Sequence, residues 1–369
     1  MEPSALDQAL SEDLAMIRDS ISEFARDVAA PAHESVDHEA RHPQEIWEGI
    51  SESGFFGTLV PEEMGGLGAG FLAHVLAVEG LARAGGVFGA FVAAQGILID
   101  TLVRVGDAEV LEGHLESLVS GEAFGAPALM EEAPGLLGTS AAPGGEGEAV
   151  LAGRKILVPH PGRGGPYLVR AAGPQGEMLV LVERGASGLD HARPDEALGL
   201  LGFETGPLLL EDVRGRVLGD GKLIADVLAG AQIAVSALLC GVARGALDHA
   251  VRYANEREQF GVRIRDFTAI QERIARSDAR IEGLRALVHG AAGLRDAGKP
   301  HAHAARRARL QAAQVPMAAA HDALQVFGGY GYSREYPPER FYRDARFPGF
   351  GEMNPTRLLA ESMACLEQP

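Results

Sequence analysis

The stretch that decides the fold is Leu223-Ile-Ala-Asp-Val-Leu-Ala-Gly-Ala-Gln-Ile-Ala-Val-Ser-Ala-Leu-Leu-Cys-Gly-Val-Ala-Arg-Gly-Ala-Leu-Asp-His-Ala-Val-Arg-Tyr-Ala-Asn-Glu-Arg-Glu258. Its apolar residues recur at three- and four-residue spacing without a proline, so it predicts one long amphipathic helix. Two further helical patterns follow. Ile270 to Ala297 is stopped by Gly298-Lys-Pro300, and Ala304 to Val326 is the next. Upstream, from Glu122 to Gly219, the character changes. Short apolar runs (Phe124–Met130, Ala149–Leu151, Ile156–Val158, Tyr167–Val169, Met178–Val182, Leu208–Leu210) alternate with Gly, Pro and acidic clusters. That alternation predicts a small antiparallel β-domain.

The first part of the chain is helical again. Leu14-Ala-Met-Ile-Arg-Asp-Ser-Ile-Ser-Glu-Phe24 is amphipathic, with Ser11 placed to cap it. Pro61-Glu-Glu-Met-Gly-Gly-Leu-Gly68 must be a loop. Helical patterning resumes at Phe71 and runs to about Val119, interrupted near Gly85 and Gly106. The expected division is helical at 1–121, β at 122–219 and helical at 220–369. Helices segregated from the sheet make the class α+β rather than a doubly wound sheet.

Composition narrows the function. The 369 residues carry a net charge of −18, which argues against nucleic acid as a partner. Cys240 and Cys365 lie in apolar runs and form no CxxC pair, so neither a disulfide framework nor a cysteine zinc site is expected. The start is acidic and polar without a signal-peptide pattern. No uncharged run reaches the roughly 20 residues of a membrane span. A cytoplasmic protein without a membrane partner is the expectation. His301 and His303 flank Ala302 at a helix start with no third ligand nearby, so no metal site is expected there.

Three places in the last third invite a chemical reading. Gly328-Gly-Tyr-Gly-Tyr332 follows a helix, which is the wrong context for a dinucleotide fingerprint. It reads plainly as a helix C-cap and turn, or more sharply as bare backbone that a flat or phosphorylated ligand can approach. Arg257 closes the long helix, where a cation suits the macrodipole; its guanidinium also suits a pyrophosphate. Glu352 lies in Pro348-Gly-Phe-Gly-Glu-Met-Asn-Pro355. It is either an ordinary loop glutamate or a carboxylate desolvated into the range of a general base.

Together the pieces resemble the acyl-CoA dehydrogenase family. The likeness is carried by Tyr253-Ala-Asn-Glu-Arg-Glu-Gln-Phe-Gly261, Phe267-Thr-Ala-Ile-Gln271, Gln325-Val-Phe-Gly-Gly-Tyr-Gly-Tyr332, Tyr336-Pro-Pro-Glu-Arg340 and Tyr342-Arg-Asp-Ala345. Pro61–Gly68, Glu79-Gly-Leu-Ala-Arg83 and Leu210-Glu-Asp-Val213 extend it over nearly the whole chain. The resemblance implies an N-terminal helical domain, a middle β-domain and a C-terminal four-helix bundle. It implies FAD as cofactor, an acyl thioester as substrate, electron-transferring flavoprotein as electron acceptor, and a homodimer or homotetramer. By position, Arg257, Gln259 and Phe260 would meet the FAD of the neighbouring subunit. Phe267 falls in a second contacting segment, Gln325, Gly328 and Gly329 approach the ADP half, and Asn354 follows on the flavin side. Glu352 falls at the position of the base, which takes the Cα proton while the Cβ hydride leaves for the flavin. The alternative base position on the long helix matches Ala231, which cannot serve.

The departures from the family pattern cluster where the flavin and thioester would lie. Met130 and Pro159 stand where hydroxyl-bearing threonines are usual, and each lost bond is worth roughly 1 kcal/mol. Leu136 and Leu137 replace a serine and an aspartate, and Gln232 replaces an arginine. Either the substrate or carrier is altered, or the scaffold is a weakly active or non-catalytic flavin-binding interaction protein.

Overall fold

Ser11 opens the first long helix as expected, its hydroxyl accepting the Leu14 N–H at 3.4 Å. The computed structural model describes residues 4–132, 137–160, 163–350, 358–360 and 362–363. The N-terminal helices are α1 (Ala5–Gln8), α2 (Glu12–Phe24), α3 (Ala30–Glu39), α4 (Gln44–Glu52), α5 (Gly70–Ala84), α6 (Gly86–Val105) and α7 (Ala108–Val119). Pro61–Gly68 is a loop with a single short turn at Glu62–Met64; Gly65 and Gly68 take φ of 84° and 58°. The interruptions expected near Gly85 and Gly106 are the two helix junctions.

The strands are β1 (Ala126–Ala128), β2 (Ser140–Gly145), β3 (Glu148–Pro159), β4 (Tyr167–Gly173), β5 (Gly176–Val182), β6 (Leu189–His191) and β7 (Thr205–Asp220). Pairing runs β4–β2–β3–β7–β5 and returns from β5 to β4, so the ladder closes on itself. Closure leaves few open edges to aggregate. The sheet is mainly antiparallel, but β1 pairs β4 in parallel and β2 touches β4 in parallel at Ser140 and Ala172. Two apolar runs, Ala149–Leu151 and Ile156–Val158, belong to the single bulged strand β3, whose register slips against β7 on either side of Gly153–Lys155. Strand β2 had no apolar signature: its Ser-Ala-Ala-Pro-Gly-Gly is held by β3 on one side.

The chain then enters α8 (Gly221–Glu256), a 36-residue helix. After a short hairpin, β8 (Glu258–Gln259) and β9 (Val262–Arg263), come α9 (Thr268–Asp296), α10 (Ala302–Ala312), α11 (Val315–Phe327) and α12 (Pro338–Asp344). The one helix expected over Ala304–Val326 is in fact two. Ala313 and Gln314 separate them, and Pro316 sits in the first turn of α11, where its missing N–H costs nothing. Helix α8 packs against α5, α6, α9, α10 and α11 and is the axis of the C-terminal bundle. Helices α6 and α8 are long and apolar enough to cross a membrane, but 94% and 72% of their most apolar windows are buried inside the protein. They are core helices, apolar all round because neighbours surround them.

Two glycines let α8 meet α5 at backbone distance. A methyl on Gly241 would overlap the carbonyl oxygen of Glu79, and one on Gly245 would overlap that of Arg83. Neither obstacle is a movable side chain. Gly241→Ala is therefore expected to cost about 1–3 kcal/mol by overpacking. At ~2–4 °C per kcal/mol for a large domain, a thermal melt should register the loss. An unchanged melt would mean the helices can part without penalty.

Candidate active site

The end of α8 turns into a site through a tight hairpin. Phe260 and Gly261 join β8 to β9 with φ of 53° and 81°, both left-handed, the geometry of a two-residue type I′ turn. The left-handed phenylalanine stands at the tip and is 94% exposed. Its ring meets Phe267 edge-on at 6.4 Å. Gln259, just before the tip, is exposed. Arg257 caps α8, its N–H bonding Tyr253 O at 2.9 Å. Its guanidinium carbon lies 5.6 Å from the centre of the Tyr330 ring, and it has no carboxylate partner among the described residues.

Tyr330 belongs to the turn Gly328–Tyr332 at the end of α11. Gly328 is the C-cap with φ 59°, so the plain reading of this stretch holds. The sharper reading fits as well. A side chain added at Gly328 or Gly329 would meet no atom within 4 Å, so both backbones face open space. Gln325, one turn earlier on α11, is exposed beside them. Tyr253 stacks on Phe327 at 4.1 Å and 14°, tying the end of α8 to the end of α11. Arg257 and the glycine turn, far apart in sequence, therefore stand together. An unpaired guanidinium, bare glycine backbone and exposed aromatic rings suit a planar ligand carrying phosphates. This set fits the ADP half of FAD.

The two substituted positions of the β-region lie on neighbouring segments. Met130 O accepts Ile156 N–H at 3.1 Å, which lays Met130 beside the end of β3. Leu157 has φ 51° and His160 has φ 41°, and Pro159 is buried between them. Behind this edge, the fully buried Lys155 ammonium bonds the Glu131 carboxylate. Burial pulls Lys155 down to about 8, and its bond to Glu131 keeps it charged at neutral pH. Against its own burial, Glu131 is held below the usual carboxylate range by Lys155 and Thr139.

Glu352 and Asn354 lie outside the described residues. The segment leading to Glu352 is firmly seated. Asp344, at the end of α12, is buried and accepts the Leu200 N–H at 2.6 Å from the β-region. It also accepts the N–H of Gly86, the first residue of α6. Arg309 of α10 donates to Pro348 O at 3.0 Å. Phe347 and Phe350 pack on each other at 5.0 Å, and Phe350 lies 5.6 Å from Phe203 of the β-region. On α8, Ala231 is buried and Gln232 is half-buried. Sequence reading missed Asp344, Arg309 and the Lys155–Glu131 pair as parts of this region. Asp344 was visible only as a letter in a motif, because its partners are backbone groups more than a hundred residues away.

The fold and this site define a flavin-dependent dehydrogenase scaffold. Residues 219–352 match the family model described as acyl-CoA dehydrogenase, C-terminal domain, and residues 11–122 match the N-terminal domain model. An acryloyl-CoA reductase (NADH) of Anaerotignum propionicum is 32% identical over 97% of this chain and 96% of its own length. The butyryl-CoA dehydrogenase structure from Megasphaera elsdenii superposes with a TM-score of 0.90 at 28% identity, covering 99% of this chain and 100% of that one. A chain in a structure described as the electron transferring flavoprotein of Acidaminococcus fermentans gives 0.91 at 32% identity, covering 98% and 99%. The chain belongs to the acyl-CoA dehydrogenase family, FAD-dependent oxidoreductases that act on the CH–CH bond of acyl thioesters.

Burial raises the Asp344 carboxyl to about 7, against the opposing pull of the Leu200 N–H and Arg343. Below pH ~4 the group is protonated both folded and unfolded, and its contribution is fully present. As pH rises towards 7 the unfolded chain gives up this proton first, so the contribution is lost. The stability of the native protein relative to Asp344→Asn should therefore fall between pH 4 and 7. Paired denaturant titrations across that range measure it; a pH-independent difference would show that Asp344 ionises freely in the fold.

Proposed function

We propose that this protein holds FAD in a site shared between two copies of the chain and oxidises an acyl thioester to its 2,3-enoyl form. The observation that carries the reading is the unpaired Arg257 over Tyr330, beside the bare backbone of Gly328 and Gly329. Arg257 takes the pyrophosphate, and Gln325, Gly328 and Gly329 receive the ADP half. Gln259, Phe260 and Phe267 close over it. The exposed Phe260 hairpin supports a homodimer or homotetramer in which this edge faces the neighbouring subunit's cofactor. On the other side of the cofactor, Met130 and Pro159 offer shape but no side-chain donor.

When bound, FAD supplies the acceptor for the hydride from the β-carbon. Glu352 takes the α-proton as general base, and Asn354 lies on the flavin side of the same segment. The seating of Asp344, Pro348 and Phe350 just before them supports this role, because a base must be held within hydrogen-bond reach of its proton. Electron-transferring flavoprotein is the proposed electron acceptor, supported by the Acidaminococcus fermentans likeness. A cytoplasmic place in fatty acid metabolism is the reading in keeping with this chemistry.

The purified protein should be yellow, and anaerobic addition of the right acyl-CoA from a chain-length panel should bleach it. Glu352→Gln should slow bleaching by about 10²–10⁴-fold while leaving FAD bound. Arg257→Ala should weaken FAD binding by roughly tenfold or more, the worth of a charge-assisted bond. A colourless protein that takes up no added FAD would overturn the reading. Met130, Pro159 and Gln232 favour a second reading, a flavin-binding interaction protein of weak or no activity. A yellow protein that no acyl-CoA in the panel bleaches would select it.

A further inference from the structure

We propose that Lys155 and Glu131 are positioning residues for the flavin: their buried ion pair sets the edge of the β-region against which the ring rests. The inference deepens the reading above and rests on it. Lys155 has no solvent-exposed side-chain surface, yet lies in a strand otherwise rich in apolar residues. A lysine is rarely buried this way unless a partner fixes it. The partner, Glu131, does three things at once. One oxygen bonds the Lys155 ammonium and accepts the Thr139 N–H at 3.2 Å, and the other accepts the Gly138 N–H at 3.2 Å. Glu131 thus ties its own position to Gly138 and Thr139, just before β2.

The neighbours of the pair make it more than a structural tie. Residues 130 and 131 are fastened to residues 156 and 155: Met130 by its backbone to Ile156, and Glu131 by its side chain to Lys155. Met130 and Pro159 are the two positions facing the flavin in the proposed function, and both lack a side-chain donor. What they present to a ring is position alone. That position is set where β3 leaves its regular register, between Lys155 and Val158, with Leu157 left-handed. A bulge has no ladder of its own to hold it in register. The ion pair sits at its start and supplies the missing restraint. A second ion pair, Arg170 with Glu177 at 2.6 Å, contributes opposing charges to Lys155 from β4 and β5. The local charge therefore balances without any group on the flavin side.

The test compares Lys155→Met with the double variant Lys155→Met/Glu131→Gln and with Lys155→Arg, all as FAD-loaded protein. The single variant leaves the half-buried Glu131 carboxylate without its cationic partner and is expected to melt well below the others. The double variant removes both charges at similar volume and should fold. Its glutamine has one acceptor oxygen where the carboxylate had two, so the tie to Gly138 and Thr139 and the Met130 edge relax. The expected result is roughly tenfold weaker FAD binding, a shifted flavin absorption band and a changed midpoint potential, with Lys155→Arg restoring most of each. A double variant with unaltered FAD affinity, band and potential would overturn the proposal and leave the pair a structural tie. Amide exchange in the unsubstituted protein gives an independent measure. FAD loading should slow exchange at Ile156, Gly138 and Thr139, and equal rates with and without FAD would also overturn it. Wild-type protein that binds no FAD would instead remove the function on which the inference rests.

Discussion

Asp344 is where the helices and the sheet are joined. Its carboxylate receives one N–H from Leu200 in the β-region and another from Gly86 at the start of α6, while its own backbone ends α12. His33 of α3 approaches it at 3.9 Å. Burying a carboxyl group is costly, and only such donors make it tolerable. The return is geometric. The N-terminal helices, the sheet and the C-terminal bundle share one fixed point, and the chain leaves that point directly towards Glu352. The adjacent Arg343 donates from one guanidinium nitrogen, Nη2, to both carboxylate oxygens of Asp37, Oδ1 at 2.8 Å and Oδ2 at 2.6 Å.

The same logic recurs on the far side of the molecule. Arg295, buried at the end of α9, reaches Asp100 of α6 and Asp226 of α8 and lies over the Phe71 ring at 4.6 Å. Its neighbour Asp296 caps α5 through the N–H groups of Phe71 at 2.6 Å and Leu72 at 2.9 Å. Glu79 of α5 meets both Arg285 and His289 of α9. These contacts are directional, whereas the apolar packing around them is not. The apolar core drives the helices together, and the buried charges choose the orientation in which they meet.

Two regions of the structure carry the residues proposed to hold the cofactor. One is the end of β3, where Met130 is half-buried and Pro159 buried, with Lys155 and Glu131 beside them. The other is the end of α8, where Arg257, Phe260, Gly328 and Gly329 are exposed and Arg257 has no carboxylate partner among the described residues. The Phe260 ring, 94% exposed, leaves apolar surface in water.

The helices, the sheet region and the family were legible in the sequence, because each depends on local signals. Three- and four-residue periodicity marks α8 and α9. Ser11 marks a helix start, and glycines mark the ends of α5 and α6. The order of short motifs marks the family. The split of Ala304–Val326 was legible too, in Pro316, though apolar periodicity hid it. What tertiary structure alone decided are the long-range pairings. Nothing local says that Asp344 accepts from Leu200, that Lys155 is buried against Glu131, that Arg257 meets Tyr330, or that a strand as unpromising as Ser140–Gly145 is paired at all. Periodicity reports which face of an element is buried, but a polar side chain's partner depends on how elements are folded back on one another, and that information is spread over the whole chain.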